Sequence, residues 1–137
     1  LQRDVDRIAA GLPADVGVYV QHLVTDCGAA RDADSRFPAA STLKVAILVD
    51  AVRRGQARRL RSVLDRMVIE SSDEAANAVL ASLGGGSGER GAALVTQTMR
   101  DLGLTRSLVR RPYLTEDARR PLPIEAGAAP ALFTNFI

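Results

Sequence analysis

The chain has 137 residues, 47% apolar and 25% charged, which suits one globular domain with a single core. A net charge of +2 is too small to require a nucleic-acid partner, and a single cysteine excludes an internal disulfide. The single histidine excludes a multi-histidine metal site, and a Ser-His-Asp triad would have to use His22 itself. The longest strongly apolar run, Val45 to Val49, is too short for a membrane span, and no signal peptide is recognisable.

The first forty residues predict a helix followed by a β-hairpin. Leu1 to Ala10 has the apolar spacing of a short helix. Val16 to Val24 alternates and is β-branched, which predicts a strand, and the turn residues 25–28 lead to a return strand from Ala29 to Arg36. His22 lies within the first of these strands, so we interpret it as a structural residue.

Four helices are predicted in the next part of the chain. The first, Thr42 to Val52, is predominantly apolar and is predicted to be a buried helix. The others have the 3.6-residue apolar period or the end signals of helices: Ala57 to Ile69, Asp73 to Leu83 and Glu89 to Leu102.

Six arginines between positions 53 and 66 are the densest basic stretch. No aromatic residue is interleaved with them, so a solvated helix face is favoured over a phosphate-binding patch. Beyond Leu104 four prolines break any period. We therefore divide the single domain 1–137 into a helix and hairpin (1–40), a helical part (41–104) and an irregular loop and tail (105–137).

Lys44 is the only lysine, while the other seventeen basic residues are arginine. Arginine stays protonated in proteins, whereas a lysine in a buried setting can lose its proton. Ser41 lies three residues earlier at the predicted helix start, so the two side chains share a helix face. With no usable histidine, Lys44 is the available base for a Ser41 nucleophile. The alternative is a stray lysine in an arginine-rich chain.

Residues 37–44, Phe-Pro-Ala-Ala-Ser-Thr-Leu-Lys, resemble the segment around the nucleophile of the class A β-lactamases and penicillin-recognising serine hydrolases, whose S-x-x-K motif carries the acylated serine. This resemblance implies an α+β, β-lactamase/transpeptidase-like fold with an N-terminal hairpin and a helical domain. It covers about residues 1–115, roughly the first half of the family domain. The later sheet strands are missing, as is the K-T-G motif, so a longer chain or a second chain would complete the fold.

Residues 71–77, Ser-Ser-Asp-Glu-Ala-Ala-Asn, resemble the family pattern S-D-N-x-A-x-N. The resemblance implies that Ser71 is a proton relay, that Asp73 stands at a substrate-binding asparagine, and that Asn77 braces a loop. Two alternatives stay open. Ser71 with Glu74 fits a helix capping box, and a one-residue shift would make Ser72 the motif serine.

The family also has an Ω-shaped loop whose glutamate activates the deacylating water. Thr105 to Leu114 resembles this loop, and the alignment puts Arg111 at the glutamate position, with Glu116 five residues away. A guanidinium cannot act as a general base. We therefore expect an acyl-enzyme that hydrolyses slowly.

The resemblance implies a serine acyl-transfer hydrolase acting on β-lactams or small amides and esters, exported from the cytoplasm and without a cofactor. The alternative is a non-catalytic β-lactamase-like domain used in binding or assembly. A nucleic-acid module built on the arginine-rich helix is the least favoured reading, because no base-reading or stacking element accompanies it.

Overall fold

A computed structural model of the chain describes residues 1–35, 37–113 and 132–133, the last two as backbone only. Within these residues it contains five helices, four short strands and one 3₁₀ turn. They are α1 (Gln2–Ala10), β1 (Val18–Gln21), β2 (Gly28–Arg31), β3 (Phe37–Pro38), the 3₁₀ turn (Ala40–Thr42), α2 (Leu43–Arg53), α3 (Arg61–Ile69), α4 (Asp73–Leu83), α5 (Gly88–Asp101) and β4 (Leu132–Phe133).

The N-terminal part is helix α1 packed against the antiparallel hairpin β1–β2. The side chain of Gln2 ties the two together, because it donates to the Ala30 carbonyl oxygen and accepts from the Ala30 amide at 2.9 and 3.0 Å. The first predicted strand is shortened to Val18–Gln21, since His22 already belongs to the turn. Its ring nitrogen Nδ1 lies 2.8 Å from the Thr25 hydroxyl, which is a structural contact.

The return strand is also shorter than predicted. Pairing with β1 stops at Arg31, because Asp32 adopts a φ of 45°, which an extended strand does not allow. The chain then turns, and β3 pairs antiparallel with β4 through the backbones of Phe37 and Phe133. Strand β3 ends at Pro38, so the chain leaves this second small sheet shortly before the 3₁₀ turn begins at Ala40.

Helices α2 to α5 pack into one layer around a common apolar core. The side chains at its centre are fully buried: Ile47, Met67, Val79, Leu80 and Val95. Helices α4 and α5 approach closely at Gly91, where any Cβ would overlap the Leu80 carbonyl. Helix α4 also packs against α2, and the starts of these two helices lie together, where Lys44 and Asp73 are in contact.

Helix α3 begins at Arg61, four residues later than predicted. Residues 57–60 instead form turns, in which the amide of Leu60 donates to the Gln56 carbonyl and Leu60 itself enters the core. Three arginines of this region lie beside carboxylates four residues away in the chain, as Arg61 does with Asp65 at 3.0 Å, whereas Arg59 donates to Gln56 and Ser82. Among the residues that the structure describes, no helix is long and apolar enough to cross a membrane.

Candidate active site

The site is built where the 3₁₀ turn enters α2 and the chain enters α4. Ser41 lies on the 3₁₀ turn and Lys44 follows in the first turn of α2. The residue before Ser41, Ala40, has a φ of 44°, a left-handed conformation that costs a non-glycine residue roughly 1–3 kcal/mol. Such strain persists only where the surrounding structure enforces it, and here it falls directly before Ser41.

Lys44 is the centre of the cluster and is only 4% exposed. Its Nζ lies 3.4 Å from Ser41 Oγ, 3.0 Å from Ser71 Oγ and 2.7 Å from Asp73 Oδ1, and it also donates to the backbone carbonyl of Ser71. A buried cation without partners is strongly unfavourable. These four oxygens therefore explain how the chain keeps its single lysine inside.

Ser71 reaches this cluster because it does not cap the helix that follows. It has a φ of 54°, and its hydroxyl donates to Ser41 Oγ at 3.1 Å. The N-cap of α4 is Ser72, whose Oγ accepts from the Ala75 amide at 3.1 Å and donates to Glu74. The capping interpretation of Ser71 is therefore wrong, and the hydroxyl of Ser71, not that of Ser72, bonds to Ser41 and Lys44.

Asp73 and Asn77 lie one turn apart on α4 and face different parts of the site. The Asp73 side chain is 42% exposed, so the carboxylate end of its ion pair with Lys44 is accessible to solvent. Asn77 holds the loop after α5, since its amide donates to the Tyr113 carbonyl at 2.9 Å and its oxygen accepts from the Tyr113 amide at 2.7 Å.

Tyr113 is a site residue that the sequence analysis missed. The centre of its ring lies 5.0 Å from Lys44 Nζ. Its hydroxyl donates at 2.9 Å to the carbonyl of Ala40, the residue with the positive φ. Burial, and then the negative charge of Asp73, raise the pKa of Tyr113 well above its ordinary value, so the phenol stays protonated. The available signal was its place directly after Pro112 in the predicted loop.

Arg111 is exposed, and none of the hydrogen bonds that join the cluster involves it. The loop residue that Asn77 holds is Tyr113, two positions beyond Arg111. Glu116, the carboxylate five residues beyond Arg111, falls outside the described residues. Within the described part of the chain, no group of three or more His, Cys, Asp or Glu side chains is placed to hold a metal ion.

The sequence model of the Beta-lactamase enzyme family matches residues 1–62, a segment that includes Ser41 and Lys44 and ends before Ser71. Among solved structures, an ancestral (GNCA) class A β-lactamase matches with a TM-score of 0.71 and 18% identity. The alignment covers 97% of this chain and 58% of that protein. The fold is β-lactamase-like. The predicted resemblance to the class A β-lactamase-like superfamily is confirmed in sequence over residues 1–62, and the predicted incomplete α+β fold is confirmed by the structural match.

No curated protein matches the chain. The β-lactamase-like chain spans a little over half the length of the ancestral enzyme. At 18% identity the structural match establishes the fold, and the evidence for any chemistry lies in the arrangement of the side chains in the cluster.

The geometry of this cluster allows protons to move between two hydroxyls and an amine. Ser41 Oγ is within reach of both Ser71 Oγ and Lys44 Nζ, and these two are within reach of each other. A triangle of this kind lets a proton leave one hydroxyl and arrive at the other through the amine. Ser41 is exposed, so a substrate can approach its oxygen.

Proposed function

We propose that this protein is a serine acyl-transfer hydrolase whose nucleophile is Ser41. The observation that carries the proposal is the position of Ser41 Oγ, exposed to solvent and within hydrogen-bonding reach of the only lysine, which is buried. Lys44 acts as the general base and Ser71 as the relay to the leaving-group nitrogen. The backbone N–H of Ser41 supplies part of the oxyanion hole.

In the acylation step, Ser41 Oγ forms a bond to the carbonyl carbon and its proton passes to the neutral amine of Lys44. The carbon–nitrogen bond then breaks, and the nitrogen receives a proton from Ser71, which is replenished from Lys44. The product is an ester on Ser41. Hydroxyl–hydroxyl and hydroxyl–amine distances of 3.0 to 3.4 Å support this sequence of transfers.

Hydrolysis of this ester is proposed to be slow. A deacylating water needs a general base, and the loop residue beside the cluster is Tyr113, whose raised pKa keeps its phenol protonated. The exposed guanidinium of Arg111 cannot take a proton either. The protein would then retain acyl groups, as a penicillin-binding protein does.

The proposed substrates are β-lactams or small amides and esters. Because the chain spans 58% of the ancestral enzyme, we propose that further residues or a second chain supply the rest of the oxyanion hole. A location outside the cytoplasm is part of the same proposal.

The test is incubation with a fluorescent penicillin, followed by intact-mass measurement over time. The wild-type protein should gain one adduct that persists for many minutes, and Ser41→Ala should gain none. Ser72→Ala is the matched control, because it removes a neighbouring hydroxyl that caps α4 but does not face Ser41, and it should be labelled like the wild type. A wild-type protein that gains no adduct from a penicillin or from a fluorophosphonate would overturn the proposal.

A second candidate is a non-catalytic binding or assembly domain. The Lys44–Asp73 ion pair at 2.7 Å favours it, because the pair engages the amine that acylation of Ser41 would need as its base. This candidate requires that neither probe labels Ser41 at any pH at which the protein is folded.

A further inference from the structure

We propose that Asp73 is the group that removes a proton from Lys44 and so prepares it to act as the base. The inference rests on the proposed acylation of Ser41. It concerns a step that the proposed function leaves open, namely where the proton of a buried, ion-paired ammonium goes.

While Lys44 is an ammonium paired with Asp73, it cannot act as the base. An ammonium has three protons and no lone pair, so it can only donate. Its neighbours are all acceptors: Nζ donates to the Ser71 carbonyl and faces Asp73 Oδ1 and the hydroxyl oxygens of Ser41 and Ser71. One proton must leave Nζ before the proton of Ser41 can arrive.

Among the described groups around Nζ, Asp73 is the only one suited to receive that proton. The hydroxyls of Ser41 and Ser71 and the Ser71 carbonyl are far weaker bases than a carboxylate. Tyr113, which covers Nζ with its ring, is a protonated phenol that donates to the Ala40 carbonyl.

The other nearby carboxylates are already engaged. Glu74, on the same first turn of α4, accepts from the Ser72 hydroxyl at 3.1 Å. Asp50, further along α2, is fully buried and held by Arg54 at 2.8 and 2.9 Å. Asp73 Oδ1 is the carboxylate oxygen in direct contact with Nζ.

The two members of the pair differ sharply in exposure, and this difference explains how substrate binding would drive the transfer. The Lys44 side chain is 5% exposed and that of Asp73 is 42% exposed, so water stabilises the charged pair from the Asp73 side only. A substrate over Ser41 would remove that water. Desolvation penalises two charges more than a neutral amine beside a neutral acid, so the neutral pair becomes competitive.

The step balances within the cluster. The N–H bond of Lys44 breaks, its electron pair stays on Nζ, and the proton forms an O–H bond with Asp73 Oδ1. The amine then accepts the Ser41 proton and later passes it through Ser71 to the leaving nitrogen. Asp73 finally returns its own proton to Nζ, which restores the ion pair.

The feature belongs to this chain, because the resemblance places an asparagine at the Asp73 position in the class A family. An amide oxygen accepts a hydrogen bond from an ammonium but is not protonated near neutral pH. Asp73→Asn therefore preserves shape and the hydrogen bond to Nζ while removing the proton acceptor.

The experiment measures the second-order rate constant for labelling of Ser41 by a fluorophosphonate between pH 5 and 10. Asp73→Asn should lower this rate constant roughly 10²-fold near pH 7, and the deficit should shrink as alkaline solvent takes over the proton. Asp73→Glu, which keeps a carboxylate, should recover part of the loss. Asp65→Asn is the matched control, since it removes a surface carboxylate paired with Arg61, and it should react like the wild type.

A structural role for Asp73 predicts the opposite sign. If Asp73 only holds the proton on Lys44, Asp73→Asn will react as fast as the wild type or faster at pH 7, and the inference is wrong while Ser41 acylation stands. If no form of the protein is labelled, the proposed function fails and the inference fails with it. Asp73→Ser provides a second variant that cannot take the proton, and thermal unfolding shows whether each variant is folded.

Discussion

Helix α2 carries two buried charged side chains, Lys44 and Asp50, whose hydrogen-bond partners differ in their exposure to solvent. Asp50 is fully buried, and its carboxylate is closed off by Arg54 from the same helix and by the Thr98 hydroxyl from α5. Lys44 is 4% exposed, yet its partners come from separate segments and include the exposed Ser41 and the partly exposed Asp73.

The difference separates a structural charge from one that can do chemistry. Asp50 is fully buried, so a substrate cannot contact its carboxylate unless the helices separate. Lys44 lies one hydrogen bond from an exposed hydroxyl. Buried ion pairs contribute little net stability by themselves. Removing one partner of a fully buried pair nevertheless lowers the free energy of unfolding, because it leaves the other charge buried without a partner. Variants at the two positions should therefore fail in different ways.

The largest expected effect is on activity at Lys44. Lys44→Met should lower the rate of fluorophosphonate labelling by roughly 10³-fold or more, because no other base reaches Ser41 Oγ in the described site. Its stability to urea should change little, since the remaining carboxylate of Asp73 is open to water. Labelling of Lys44→Met at the wild-type rate would remove Lys44 from the mechanism.

At Asp50 the expected effect is on stability. Asp50→Ala should lower the free energy of unfolding by about 2–3 kcal/mol, because it leaves the Thr98 hydroxyl and the Arg54 guanidinium without their carboxylate. Arg54 is 37% exposed, which limits the loss. In urea titrations the midpoint should fall, while the labelling rate of the folded protein stays within about twofold of the wild type. A stable variant with impaired labelling would contradict the comparison.

A smaller effect on activity is expected at Ser71. Ser71→Ala removes the hydroxyl that bridges Ser41 and Lys44 and should slow acylation by amide substrates roughly 10- to 100-fold. Ser72→Ala should instead lower stability by about 1 kcal/mol through the lost cap and leave the rate unchanged. Rates measured side by side would show whether the two adjacent serines divide these roles.

The smallest effect is expected at Tyr113. Tyr113→Phe loses the hydrogen bond to the Ala40 carbonyl and should cost about 1 kcal/mol of stability. Burial raises the pKa of the Tyr113 phenol, so the folded protein keeps a proton that the unfolded chain loses above about pH 10. The stabilising effect of Tyr113 should be present below that pH and fall away above it. Urea titrations of both proteins from pH 8 to 11 should show their stabilities converging.

The local pattern of the sequence predicted most of the helical layer and the central pair of the site. Helices α2, α4 and α5 lie within one or two residues of their predicted bounds, because apolar period and end signals are local properties. The spacing of Ser41 and Lys44 was sufficient to place them on one face for the same reason.

Features that depend on distant contacts or unusual backbone angles were not predictable. The positive φ of Ser71 decides that Ser72 caps α4 and Ser71 faces Lys44, and serine has no general preference for that conformation. Tyr113 enters the site through its bonds to Asn77, thirty-six positions earlier. The end of β2 depends on the backbone of Asp32.

The most direct test of the account is to label the protein with a fluorophosphonate, digest it and map the modified residue by mass spectrometry. We expect the adduct on Ser41 alone, with the neighbouring Ser71 and Ser72 hydroxyls unmodified. An adduct on a different serine, or an equal yield when Ser41 is replaced by alanine, would show that the buried lysine does not activate this hydroxyl.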